Sequence, residues 1–324
     1  MNFRLSRRSI KIILICVVIF LVQLTLIRFR YFTDKINELQ LATMIFKENN
    51  QSVCGPSNIS KEPIKISNEI PSWEEINTAP WATDVVNGYW SPTNCLKNYT
   101  IAIIIPYRER EQHLRKLLSH LHPFLQRQNA KYQIFVIEQS SLGIYNKGAI
   151  SNSGFDIANS SDRKFDCFIF HDVDMLPIKN QNIYQCSEQP LHLGAAVDKF
   201  NYKLVYGTIV GGVLALNREQ FVKVNGYSNI FEGWGGEDDD MAERIKLENY
   251  KVFRYPIEIG QYMMIKHQHD KGNPINEKRV KMLTETKNRY KTDGLNTLKY
   301  KIKEVNNHIS NLVTWITVDI LVSK

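Results

Sequence analysis

Two acidic stretches of this chain are written in residue types and spacings that do chemistry. Asp172-Val173-Asp174 follows the apolar run Phe168-Ile169-Phe170, and strand alternation there would aim both carboxylates to one side. Two hard oxygen donors on one side suit Mn²⁺ or Mg²⁺ carrying a diphosphate. The plainer reading is a surface Asp pair in a turn. Gly233-Trp234-Gly235-Gly236-Glu237-Asp238-Asp239-Asp240 opens a helix that continues through Met241, Ile245 and Leu247. Acids at a helix N-terminus answer its dipole, so a charged cap is the alternative there. The glycines allow close backbone approach to a ligand, Trp234 offers a flat face for a sugar ring, and Glu237 or Asp238 can accept a proton. A third group, Met264-Ile265-Lys266-His267 with His269 beyond, carries softer ligands. Residues three apart on a strand face opposite ways, so Met264 and His267 could meet one ion only in a bend. Together these pieces describe nucleotide-sugar transfer, with a cation offsetting charge on a departing diphosphate and a carboxylate deprotonating the attacking hydroxyl.

The elements that must position these residues alternate. Ile101 to Ile105 reads as a strand buried on both faces and ended by Pro106. Glu109 to Leu125 has apolar residues at helical spacing, Tyr132 to Ile137 returns to strand character, and Lys147 to Ala158 reads as a helix before the strand Cys167 to Phe170. Such alternation writes an α/β fold with a mainly parallel, helix-covered sheet, in which ligands bind beyond the carboxyl ends of strands. Pro106-Tyr107-Arg108 and His171-Asp172-Val173-Asp174 fall at two such ends. The expected organisation is a tail at 1–9, a membrane span at 10–28, a stem and lead-in at 29–94 rich in polar residues and proline, and a catalytic domain at 95–324.

At 324 residues and 43% hydrophobic content the chain can build a real core. Its net charge of +8 is scattered rather than gathered into a patch, which argues against nucleic acid. Ile10 to Ile27 is a run of about eighteen mostly apolar residues, long enough for a thin bilayer. Arg4, Arg7, Arg8 and Lys11 on its N-terminal side keep the short tail cytoplasmic and send the remainder to the lumen. A cleaved signal peptide is the competing reading, although no small-residue cleavage site precedes Arg28 and Arg30. Cys16 lies in the apolar run, leaving Cys54, Cys95, Cys167 and Cys186 as an even set for an oxidising compartment, with three connectivities open. No pair has close metal-ligand spacing, so zinc is disfavoured. Sequons at Asn50, Asn58, Asn98 and Asn159 agree with a lumenal face.

Taken in order, Ile103-Ile104-Ile105-Pro106-Tyr107-Arg108-Glu109-Arg110, Phe170-His171-Asp172-Val173-Asp174, Asp198-Lys199-Phe200, Gly211-Gly212-Val213 and Gly233 to Asp240 closely resemble the β-1,4-galactosyltransferase family. The likeness runs from about Cys54 to the C-terminus. It implies a GT-A fold, a type II Golgi membrane protein, and Mn²⁺-dependent inverting transfer to the 4-hydroxyl of a terminal GlcNAc. By position, Pro106, Tyr107, Arg108 and Arg110 resemble the uridine-binding loop, and Tyr145, Lys147, Asp172, Val173, Ile209 and Trp234 the remaining donor contacts. Asp174, Met264 and His267 resemble the metal ligands, and Asp238 the catalytic base assisted by Glu237. Tyr206, Trp234, Gly235, Gly236, Glu237 and Asp238 resemble the acceptor side, with Arg279, Val280 and Leu283 at the pocket for its N-acetyl group. The family disulfides would be Cys54 with Cys95 and Cys167 with Cys186, and the sequence leaves open an accessory subunit that changes specificity.

Three departures matter. Lys147 in Tyr145-Asn146-Lys147 stands where galactosyl members have Arg, keeping a charge without the planar fork. Val280 replaces a Phe and loosens the acetyl pocket. Ile209 replaces a Tyr that crowds the donor's C2 substituent, and relatives with Ile there use UDP-GalNAc. The expectation is therefore GalNAc transfer from UDP-GalNAc to GlcNAc-terminated glycans, with UDP-Gal as the alternative donor. Two other classes compete: a silent lectin-like binding module, which would not need Asp238, and a nucleotidyltransferase, which would release UMP rather than UDP.

Overall fold

The computed structural model describes residues 23, 60, 62–93, 99–140, 143–266, 273–306 and 310–321. The span expected at 10–28 lies outside these but for residue 23, and Cys54, Cys95 and His267 lie outside them altogether. Among the described residues no helix is long and apolar enough to cross a membrane.

In chain order the strands are β1 (Tyr89–Trp90), β2 (Thr100–Tyr107), β3 (Lys131–Gln139), β4 (Cys167–His171), β5 (Met175–Pro177), β6 (Leu191–His192), β7 (Ala196–Val197), β8 (Val213–Asn217), β9 (Phe253–Arg254), β10 (Gln261–Met264), β11 (Tyr300–Val305) and β12 (Thr314–Ile320). The helices are α1 (Trp73–Asn77), α2 (Glu111–Arg127), α3 (Lys147–Asn159), α4 (Arg218–Lys223), α5 (Glu237–Leu247), α6 (Arg279–Thr284) and α7 (Thr286–Arg289). Among the described residues one mixed sheet of nine strands runs β11-β12-β3-β2-β4-β8-β6-β9, with β1 also paired to β3. Its centre, β12-β3-β2-β4, is parallel, while β8 runs antiparallel to both β4 and β6. A second, three-stranded sheet is ordered β5-β10-β7.

The all-apolar run at Ile101–Ile105 is buried on both faces because a parallel strand in mid-sheet meets helices on each side. Alternate residues Ala102 and Ile104 join Phe168, Phe170, Phe155 and Ile150 in one core cluster, so α3 seals that face. Gly154 makes this close approach possible: a Cβ there would fall 2.5 Å from Ile104 Cγ2. Pro106 does not end the strand as expected. The strand continues to Tyr107, with Pro106 paired to Ile137 near the strand's end. The lead-in also packs more closely than a free stem, since β1 adds to the sheet through Tyr89 and Gln133, and Ile76 and Val85 are buried.

Candidate active site

The parallel register Ile101 to Cys167 through Ile104 to Phe170 ends β2 and β4 side by side. Beyond their carboxyl ends lies a cleft of about 200 Å³, lined by Pro106, Arg108, Arg110, Tyr145, Lys147, Asp172, Val173, Asp174, Gly233, Trp234, Glu237, Asp238 and Asn273. Residues from five separated stretches meet there, including both acidic motifs.

Lys147 joins the two motifs. Asn146 caps α3 by accepting a hydrogen bond from Ala149 N at 2.9 Å, which starts the helix at Lys147 and directs its side chain into the cleft. Its Nζ lies 2.9 Å from Asp172 Oδ1, 3.1 Å from Asp238 Oδ1 and 3.6 Å from Glu237 Oε1. Burial alone would lower the Lys147 pKa, but Asp172, Asp238 and Glu237 outweigh it and hold the ammonium well above its usual range. Burial raises Asp172 to about 6 against the pull of Lys147, with Asp238 and Asp174 adding to the rise. Glu237 is pushed up to about 7, first by burial and then by Asp238. Its Oε2 is buried and has no hydrogen-bond partner among the described residues, an orphan acceptor at the cleft wall.

Asp172 and Asp174 both reach the cleft, but not through strand alternation. β4 stops at His171, and Asp172 to Asp174 form a turn into β5, closed by Met175 N donating to Asp172 O at 3.3 Å. Asp172 N donates to Gly212 O at 2.8 Å, and Ile265 N donates to Asp174 O at 2.8 Å. Val173 consequently lines the cleft between the two acids.

The glycine-rich segment is equally constrained. Gly235 and Gly236 sit at φ 100° and 101°, and a Cβ on Gly236 would lie 2.5 Å from Phe231 Cε1. Gly236 ends this left-handed pair as the N-cap of α5, so Glu237 and Asp238 emerge in its first turn. Gly211 touches the same site, since a Cβ there would lie 2.5 Å from Asp238 Oδ2. The spacing of the acids gives no hint of that contact. Trp234 is 55% exposed and lines the cleft.

The four acids in the first turn of α5 divide. Asp239 accepts a hydrogen bond from Tyr206 Oη at 2.7 Å, fixing the Tyr206 loop to the helix. Asp240 is fully buried and is structural: it accepts from Thr286 at 2.6 Å and pairs with Arg244 and Arg289, each at 2.5 Å. Asp293 completes this network through Arg289 at 2.9 Å and Arg244 at 3.3 Å.

Several expected contacts fall elsewhere. Tyr107 is buried edge-on against Trp315, 5.1 Å between ring centres, and does not line the cleft, because its strand neighbour Pro106 takes the face turned towards it. Arg108 does line it, donating to Gly143 O at 3.1 Å and lying over the Tyr145 ring. Ile209 is half-buried and does not line the cleft, its carbonyl accepting from Arg254 at 2.7 Å. Arg279 packs on Gly235 and Gly236, whereas Val280, on the next position of α6, is 66% exposed, and neither it nor Leu283 lines the cleft. Met264 does not line it either; its N donates to Asp198 Oδ1 at 2.9 Å and it sits opposite Met175 across the ladder. Cys167 and Cys186 form a disulfide.

Two family profiles match this chain, one described as the N-terminal region of glycosyl transferase group 7 over residues 53–187 and one as the N-terminal domain of galactosyltransferase over 191–268. Beta-1,4-galactosyltransferase 2 of Cricetulus griseus is 44% identical over 236 residues, covering 73% of this chain and 63% of that relative. Beta-1,4-galactosyltransferase 4 of Homo sapiens is 44% identical over 221 residues, covering 68% of this chain and 64% of the relative. The match thus spans less than two thirds of these relatives' length. Among solved structures, a mutant of Drosophila beta-1,4-galactosyltransferase 7 in complex with manganese, UDP-Gal and xylobiose is similar at a TM-score of 0.59 and 28% identity, covering 69% of this chain and 95% of that one. These relatives carry the galactosyltransferase name, and the solved structure holds UDP-Gal. With profiles over both acidic motifs and 44% identity across most of its length, the chain belongs to glycosyltransferase group 7, the β-1,4-galactosyltransferase family.

Proposed function

We propose that this protein is an inverting β-1,4-galactosyltransferase that moves galactose from UDP-Gal to the 4-hydroxyl of a terminal GlcNAc. The observation that carries this reading is the meeting of Asp172, Glu237 and Asp238 on Lys147 in one cleft with Arg108 and Asp174, in a chain of this family. Asp238 takes the proton of the acceptor hydroxyl while the hydroxyl oxygen bonds to the sugar's C1 and the bond from C1 to the diphosphate breaks, releasing UDP. Attack opposite the leaving group inverts the anomeric centre. Lys147, Arg108 and Arg110 place positive charge beside the diphosphate. Trp234 offers its exposed face to a sugar ring.

Carboxylate oxygens at the cleft wall suit Mn²⁺. Asp174 supplies a hard carboxylate at the cleft wall, and the bond from Ile265 N to Asp174 O draws the strand bearing Met264 alongside it; His267 would complete the set. Bound there, the ion would offset charge on the departing diphosphate. The apolar run and basic tail of the sequence support one membrane span with a lumenal domain, and the family resemblance adds residence in the Golgi and the pairing of Cys54 with Cys95.

A second reading rests on Ile209, which lacks the phenol of galactosyl members and leaves room for an acetamido group. Assaying the full-length chain with UDP-Gal and UDP-GalNAc, before and after Ile209→Tyr, separates the two. The galactosyl reading expects UDP-Gal to be preferred at least tenfold, a difference of about 1.4 kcal/mol in the barrier. A wild-type preference for UDP-GalNAc that Ile209→Tyr reverses would reject it.

A further inference from the structure

The last residue of β4, His171, is fully buried one position before the turn that carries Asp172 and Asp174. Its Nδ1 lies 2.8 Å from the Asp172 carbonyl oxygen, and its Nε2 lies 2.9 Å from Tyr184 Oη. Tyr184 Oη lies in turn 2.9 Å from Tyr262 Oη. Both tyrosines are buried. Tyr262 belongs to β10, two residues before Met264, and pairs with Pro177 of β5 just as Met264 pairs with Met175.

The direction of every bond in this chain follows from chemistry. A carbonyl oxygen only accepts, so Nδ1 carries the hydrogen and donates to Asp172 O. With no carboxylate bonded to either nitrogen, the buried imidazole is neutral and Nε2 accepts. Tyr184 therefore donates to His171, and Tyr262 donates to Tyr184.

We propose that this one-way relay is the device that sets the Asp174 turn against the Met264 strand, with His171 and Tyr184 as positioning residues for the divalent cation. The proposal rests on the metal reading given above. The imidazole fixes the peptide plane at which the turn begins, and that carbonyl also closes the turn by accepting from Met175 N at 3.3 Å. Tyr184 locks the tautomer that makes the anchor a donor. The far end of the relay lies on the strand that is bonded to Asp174 O through Ile265. Both sides of the candidate metal site are thus tied beneath the surface.

The test is Mn²⁺ binding by the full-length chain in detergent, read from the paramagnetic resonance of free Mn²⁺ without donor or turnover, together with the metal-free melting temperature of each variant. Partners that orient metal ligands typically contribute about 10–100-fold in affinity, so His171→Leu is expected to weaken binding by that factor. His171→Asn, whose amide nitrogen can stand in for Nδ1, is expected to stay within about threefold of wild type. Tyr184→Phe, nearly isosteric, is expected to lose about three- to tenfold, equivalent to one ordinary hydrogen bond. Variants that melt lower yet bind Mn²⁺ as tightly as wild type would reduce the relay to a stabilising contact and overturn the proposal. If His171→Leu does not fold, unchanged binding by Tyr184→Phe overturns it equally. Wild-type protein that binds no Mn²⁺ would instead remove the metal reading itself, and this proposal with it.

Discussion

At the scale of single residues, the site depends on carboxylates kept where they would not otherwise remain. Asp238 stands at its position because Gly211 has no Cβ, and Lys147 holds it from the other side at 3.1 Å. Gly211→Ala should push the Asp238 carboxylate aside by a few tenths of an ångström or more. A misplacement on the order of 1 Å can cost roughly 100-fold in rate. The expected result is a fall in kcat of at least about tenfold with UDP affinity within threefold, measured by steady-state kinetics and UDP titration; an unchanged kcat would count against this role for Asp238. Asp172, Asp174 and Asp238 were legible in sequence because few residue types can hold a cation or take a proton. Gly211 was visible within a motif, but not its contact, which arises only when the segment before β8 folds against the start of α5. The orientation of Tyr107 was hidden for a related reason: the strand runs one residue beyond Pro106, so alternation hands the cleft to Pro106 and turns Tyr107 towards Trp315.

At the scale of elements, α5 turns four consecutive acids into different roles because successive helical residues point about 100° apart. Glu237 and Asp238 meet Lys147, Asp239 meets Tyr206, and Asp240 turns inward to Arg244 and Arg289. The inward pair secures the helix to α7, and through the Arg289 bond to Met282 O at 2.9 Å it also secures α6, whose Arg279 packs on Gly235 and Gly236. Breaking one partner of a buried ion pair leaves an uncompensated charge, which typically costs about 3–5 kcal/mol. Asp240→Asn is expected to lower the melting temperature by roughly 2–4 °C per kcal/mol lost. A thermal denaturation curve unchanged within 2 °C would contradict the structural role of Asp240. Sequence could place the helix, from Met241, Ile245 and Leu247, but not distinguish the fourth acid from the second. That distinction needs α7, a helix of only four residues with too short a pattern to read. The Asp172 turn was misread for a similar local reason: three residues after an apolar strand continue its alternation on paper, whereas Gly212 and Met175 bend them into a turn.

At the scale of the whole molecule, a parallel centre with antiparallel flanks opens a crevice beyond β2 and β4, and the alternation of apolar strands and helices was enough to read both the sheet class and the position of that crevice. Less legible was the second sheet, β5-β10-β7, whose strands run from two to four residues and are recognised by pairing rather than pattern. It is this sheet that brings Met264 alongside the Asp174 turn from the far end of the sequence. In the proposed reaction one cleft binds the nucleotide while Asp238 takes the acceptor's proton. Its most direct test compares UDP and Mn²⁺ affinity with turnover on a GlcNAc acceptor for wild type and Asp238→Asn. Loss of a positioned general base predicts turnover reduced by about 10²–10⁴-fold with UDP and Mn²⁺ affinities within threefold of wild type. Turnover by Asp238→Asn within threefold of wild type would contradict the account.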